Sequence, residues 1–348
     1  MLNNEQNQQG GENAINAQAG RDVIFQGVTY TEARQIALDV YRANALELQG
    51  IAQRIAIERA EHLVDDFLTK MQAKGVQHIE QAANPDFQHT LFEAQKAYAR
   101  SGDSVTEAVL VDLLVQRASE SPRNLKQVVL TEAVTAVTRL TPQQIDLLSF
   151  IFSLRHCTTH GLTSRLQLFG PVTTAARLVS AVPEGEAAYT YLVYAGVAKD
   201  SLMKVPLQTI FRQEYPGLLS RGFEKPLVQG LIDDEPAIEK ALIPSEATPG
   251  FVQVRGYNEE TTTALCTELG ISEHARFNLF RIQQEKALSD EEIEAIFEPI
   301  GDLAKTLFRM WNSTPVAQYR LTAVGQAIAH ANGTRLGMIN ADLGAWIK

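Results

Sequence analysis

The first 28 residues, MLNNEQNQQGGENAINAQAGRDVIFQGV, constrain this chain more than any other stretch. They are rich in Asn, Gln and Gly, and then alternate Ile15, Ala17, Ala19 and Arg21, Val23, Phe25. Alternation at period two is the pattern of a half-buried strand. The alternation is interrupted at Gly20, which suits two short strands joined at Ala19-Gly20. A lone two-stranded ribbon is marginal in water. Stacking ribbons from several copies would bury Ile15, Val23 and Phe25 and would pair Asn13, Asn16 and Gln18 as ladders. A polar tail without fixed structure is the alternative that this composition allows. The first reading predicts a β-type self-association head over residues 1–28, with Ile15, Val23 and Phe25 as its oligomerisation residues.

Residues 29–75 contain no proline and predict a long amphipathic helix, or stalk, from about Thr31 to Lys74. At 1.5 Å per residue it would be roughly 65 Å long. At helical spacing Ile36, Val40, Ala43, Ile51 and Ile55 share one face, whereas Leu63, Val64, Phe67 and Met71 fall nearly opposite. Glu58, His62 and Asp65 occupy the face that was apolar earlier. Either the helix breaks near Gly50, or one coiled-coil-like arm touches different partners at its two ends. Ile36, Val40 and Ile51 are then further oligomerisation residues. Two ordinary bundle helices are the alternative.

The rest reads as a helical body, 76–288, and a C-terminal module, 289–348. Residues 75–104 are polar and punctuated by Asn84-Pro85 and Ser101-Gly102-Asp103, with helices following at about 104–118 and 124–139. Thr141-Pro142-Gln143-Gln144 is a capping box with Pro in the first turn. It opens a strongly buried helix through Ile145, Leu148, Ile151 and Phe152. Residues 161–183 read as loop with a short helix, followed by helices at about 186–196 and 205–220. Phe251–Val254 is a strand candidate. Ser289–Glu292 is a second capping box, and Pro299 should interrupt its helix. Residues 317–321 read as a short strand, Thr322 as a cap, and Ala323–Asn332 as a helix ended by Gly333. No repeat of 20–50 residues is seen.

The chain has 348 residues, enough for two or three domains, and 45% are hydrophobic. A net charge of −10 excludes a uniformly basic nucleic-acid surface, though not a local patch. Two cysteines, Cys157 and Cys266, make no disulfide framework. The polar start is not that of a signal peptide, and no apolar run is long enough to span a bilayer. The expectation is a mainly α, cytoplasmic protein with no transmembrane segment.

Chemistry concentrates in Arg155-His156-Cys157-Thr158-Thr159-His160, where Cys and His crowd together. A Cys nucleophile needs a base in reach, and a metal site needs three or four ligands. No CxxC or HExxH accompanies the cluster, so a metal-dependent hydrolase or nuclease using His156, Cys157 and His160 stands as an alternative only. Glu58, Glu61, His62, Asp65 and Asp66 read as a solvated acidic face rather than a carboxylate–metal site. Phosphate loops and a nucleophile elbow are missing. No catalytic residue, metal or cofactor is assigned.

Tyr319-Arg320-Leu321-Thr322-Ala323-Val324-Gly325-Gln326-Ala327-Ile328 resembles the wing-to-helix junction of winged-helix proteins, where Gly allows close helix packing. Leu140–Gln144 resembles the opening of their first helix. The resemblance implies winged-helix-like elements and a DNA-binding alternative, with Lys305, Arg309, Arg320 and Arg335 as contacts against Glu294, Glu298 and Asp302. Asn16–Val23 (QAGxDV), followed by Tyr30–Val40, resembles an uncharacterised bacterial family with a polar, Gly-punctuated head. Similar heads occur on phage-defence proteins. The Leu-Thr-x-x-Gly tail is similar to the end of Abi-alpha type abortive-infection proteins. These resemblances imply antiviral defence and carry over no catalytic residue. The leading expectation is a non-enzymatic homo-oligomeric interaction or sensor protein. Its partners would be further copies of itself and a protein or phage-derived trigger.

Overall fold

The computed structural model describes residues 30–44, 50–74, 84–120, 123–227 and 237–348. Ile15, Val23, Phe25 and the expected β-type head lie outside the described residues. What is described is mainly α, with two small two-stranded sheets. No helix among the described residues is long and apolar enough to cross a membrane.

The order begins with α1 (Tyr30–Asn44), α2 (Gly50–Ala73), α3 (Pro85–Ser101), α4 (Ser104–Ala118), α5 (Leu125–Val137) and α6 (Pro142–Arg155). It continues with α7 (Phe169–Ala176), α8 (Glu186–Tyr194), β1 (Ala198–Asp200), α9 (Leu207–Glu214), α10 (Ala237–Ala241), β2 (Leu242–Pro244) and β3 (Val252–Val254). The last part holds α11 (Glu259–Leu269), α12 (Glu273–Glu285), α13 (Asp290–Ile296), α14 (Asp302–Ser313), β4 (Tyr319–Leu321) and α15 (Ala323–Arg335).

Side-chain caps set many helix starts. Asp103 accepts from Thr106 N–H, and Asn124 from Gln127 N–H. Thr141 and Gln144 form the expected capping box, as do Ser289 and Glu292. Each such cap contributes about 1 kcal/mol. Pro299 falls in a 3-10 turn, Glu298–Ile300, that separates α13 from α14. The polar stretch 75–104 proves to hold α3, a correction to its reading as mere punctuation. Asn84 caps the helix by accepting from Asp86 N–H, Pro85 fills its first turn, and Gly102 closes it at φ 60°.

Of the two readings of residues 29–75, the break near Gly50 stands and the single long helix is corrected. α1 folds back on α2, where Arg34 donates to both carboxylate oxygens of Asp65 (2.6 and 3.0 Å) and Arg42 donates to Glu61 (2.8 Å). The second apolar face, Leu63, Val64, Phe67 and Met71, is buried against α3 and α4. The change of face near Gly50 thus marks a helical hairpin rather than an extended arm.

Buried apolar side chains from Ala37 to Ile347 form one continuous cluster. α15 lies at its centre, against α4, α5 and α6. Its small residues Ala327, Ala329 and Ala331 are buried and permit close approach. Asn332, also buried, donates to Asp146 (2.9 Å) and Ser149 (2.8 Å) of α6. The helix does not end at Gly333. It runs to Arg335, and Gly337 (φ 69°) supplies the left-handed residue after it. Gly333 instead makes room for Ile339, whose Cδ1 would lie 2.4 Å from a Cβ there.

β4 pairs antiparallel with β1, with Ala198 opposite Leu321, Lys199 opposite Arg320 and Asp200 opposite Tyr319. Its partner therefore comes from far upstream, not from the neighbouring strand of a wing hairpin. β2 and β3 pair beside a second, smaller core built from α10, α11 and α12, which buries the Cys266 thiol.

Candidate functional site

The apolar run of α6 ends at Arg155, and the following residues leave the core in an extended path. Arg155 is held by two carbonyls, donating to Tyr319 O (2.7 Å) and Ala317 O (3.1 Å), with its guanidinium over the Trp311 ring. His156 stacks on Phe152 and accepts at Nε2 from Leu321 N–H (3.4 Å). Its carbonyl accepts from Trp346 Nε1–H (2.6 Å). Thr158 donates to Glu214 (2.6 Å), and the Thr159 N–H donates to the Tyr215 hydroxyl (2.8 Å). His160 Nδ1 meets the Tyr257 hydroxyl at 3.1 Å.

These contacts shape one wall of a cleft of about 490 Å³. Residues 156–160 form that wall. Glu214, Asn258 and Glu260 face it, and residues 338–341 with Ala345 and Trp346 close the third side. The Cys/His cluster singled out in the sequence thus lines a real cavity. Its partners Glu214, Tyr215, Tyr257 and Trp346 carried no local pattern by which to find them.

The cluster is not set up for nucleophilic chemistry. Burial, together with the charges of Arg155, Arg320 and Lys199, pushes His156 down to about 4. Burial pushes the Cys157 thiol up to about 12. At neutral pH the imidazole is therefore an uncharged, weak base with Nε2 already engaged, and the thiol keeps its proton. A catalytic cysteine needs the reverse, an electropositive site that releases the thiolate.

Among the described residues, the trio whose ligand atoms approach within 4.8 Å is His62, Asp66 and Glu107, away from the cleft. His62 Nδ1 lies 2.5 Å from Glu107 and 3.9 Å from Asp66. The hydrogen bond to Glu107, partly opposed by desolvation, raises the His62 pKa. Desolvation and the same carboxylate push the Tyr98 hydroxyl up to about 12. This geometry ties α2 to α4 as an ion pair. Much of the acidic face of α2 is likewise engaged, since Glu61 and Asp65 pair with α1.

Other expected site residues are dispersed. Ile36 and Val40 are half-buried on α1, and Ile51 is exposed at the start of α2. Lys305 and Arg309 are exposed on α14, Arg320 on β4 and Arg335 in the last turn of α15. Arg335 is already occupied, donating to Asn332 (2.9 Å) beside Asp146.

A protein-family model matches residues 27–347. No curated protein and no solved structure matches the chain.

Proposed function

The chain belongs to the family whose model spans residues 27–347, and on that premise we propose that it is a non-enzymatic, homo-oligomeric recognition protein. Residues 1–28 assemble copies, and the helical body receives a trigger in the cleft beside residues 156–160. The observation that carries this reading is the cleft itself. It is wide and lined by polar and apolar groups alike, and burial keeps its His156 neutral and its Cys157 protonated. Assembly is supported by Ile51 and Ile55, one helical turn apart on α2, which are 69% and 39% exposed in the single chain. Residues 16–23 and 30–40 resemble an uncharacterised bacterial family whose head is similar to those of phage-defence proteins, and with the Abi-alpha-like Leu-Thr-x-x-Gly tail this favours a phage-derived trigger and an abortive-infection outcome.

Two measurements test this. Deleting residues 1–28 is expected to lower the native mass measured by light scattering to that of a single chain, and an unchanged mass rejects the assembly. Cys157→Ala is expected to leave phage protection of cells expressing the protein intact. Loss of protection by that variant, with its melting temperature preserved, would favour the hydrolase reading instead.

A further inference from the structure

We propose that the β1–β4 ribbon and the turn after β1 form a docking site for an anionic lipid bilayer surface. Two apolar side chains stand at its tip, Leu202 at 86% exposure and Met203 at 70%. The turn is rigidly built. Leu202 lies at φ 60°, a region where a bulky side chain is less favoured than Gly or Asn. Asp200 accepts from Leu202 N–H (2.7 Å), and Ser201 donates to Met203 O (3.1 Å). The Ser201 and Val205 N–H groups donate to Gln318 O and Ala317 O, both at 3.0 Å, fixing the two ends. Leu202 and Met203 are thus presented outward on a fixed scaffold.

Cations surround this tip. Lys199 and Arg320 sit directly opposite each other across the ribbon, both exposed. Like charges in that register repel. Lys204 follows the tip, and Arg155 lies beneath β4 on its carbonyls. Among the described residues, no carboxylate comes within ion-pair distance of Lys199, Lys204 or Arg320. Asp200 faces Leu202 N–H and the Gln318 amide, and Glu186 acts on Tyr319 from the start of α8. Both Arg155 and His156 feel the positive field of Arg320 with no carboxylate opposing it. On a chain of net charge −10, such a patch runs against the average.

Aliphatic tips flanked by unpaired cations complement a layer of anionic headgroups over hydrocarbon. A single-stranded nucleic acid would instead call for planar side chains on which bases stack, and Leu and Met offer none. The site lies on the membrane and does not cross it.

The test is flotation of the full chain with vesicles of equal parts phosphatidylglycerol and phosphatidylcholine, against pure phosphatidylcholine. The chain is expected to float with the anionic vesicles only. Leu202→Gly with Met203→Ser, and separately Lys199→Gln with Lys204→Gln, should each lower partitioning about tenfold. The first pair should leave the melting temperature unchanged or raised, since Gly suits the left-handed backbone. Absence of binding to anionic vesicles, or binding undiminished in both variants, overturns the proposal. So does a result in which the lysine pair abolishes binding to an oligonucleotide while the Leu202/Met203 pair leaves vesicle binding unchanged.

Discussion

Gly325→Ala is expected to destabilise the protein by about 3 kcal/mol, although alanine is the better helix former by about 1 kcal/mol. Gly325 lies in the first turn of α15, where its N–H donates to the Thr322 cap (3.2 Å). A Cβ at this position would stand 1.9 Å from Val197 O and 2.9 Å from Val197 C. That neighbour is backbone and cannot swing aside as a side chain would. It is also fixed from the helix side, because Val197 O accepts from Thr322 N–H (3.1 Å) and Gly196 O accepts from the Thr322 hydroxyl (2.7 Å). Moving α15 away would break these bonds and disturb its packing on α6. Urea unfolding of the variant measures the effect. Thr322→Ala, which removes the cap and the hydroxyl's bond to Gly196 O but adds no Cβ clash, should cost about 2 kcal/mol. A Gly325→Ala protein as stable as the parent would mean that the start of α15 is free to retreat.

The same residue marks what was legible in the sequence. The winged-helix resemblance placed a Gly for close packing after a Thr cap, and both features stand in the structure. The wing itself does not, because β4 pairs with β1, a three-residue strand too short to show any alternation. Capping boxes at Thr141 and Ser289, and the break at Pro299, were readable since they depend on residues within one turn. α3 was missed for a related reason. Asn84-Pro85 serves equally as a loop and as a cap with Pro in the first turn, and only the burial of Phe87, Leu91 and Ala94 decides between them. Gly333 misled because a buried Gly inside a helix and a Gly just past its end look alike in sequence. The hairpin of α1 and α2 depends on Arg34 and Arg42 reaching Asp65 and Glu61, which is tertiary information. The cleft shows the same limit. Its wall at 156–160 stood out by composition, while its other walls come from residues 214, 258–260 and 338–346, joined only by the fold.

That wall also sets the second large effect, an acid-labile fold. His156 titrates near 4 in the folded chain, held neutral by burial and by Arg155, Arg320 and Lys199, whereas an unfolded His titrates near 6.5. Above about 6.5 neither state binds the proton and the group contributes no pH dependence. Between 6.5 and 4 the unfolded chain takes up the proton and the folded chain does not, so stability falls as pH drops through that window. From pH 7 to pH 4 the loss amounts to about 3 kcal/mol. His330, buried and likewise lowered, acts in the same direction. His62 acts oppositely. Its raised pKa makes the Glu107 pair strongest below 6.5 and weaker as pH rises, but its side chain is 60% exposed and solvent screens the effect. His156→Gln keeps an acceptor for Leu321 N–H without a titrating group. Urea midpoints should therefore fall much less steeply for this variant than for the parent between pH 7 and pH 4. Parallel curves across that window would show that the folded chain protonates His156 as readily as the unfolded one, and the cleft would then hold an imidazole available for acid–base chemistry.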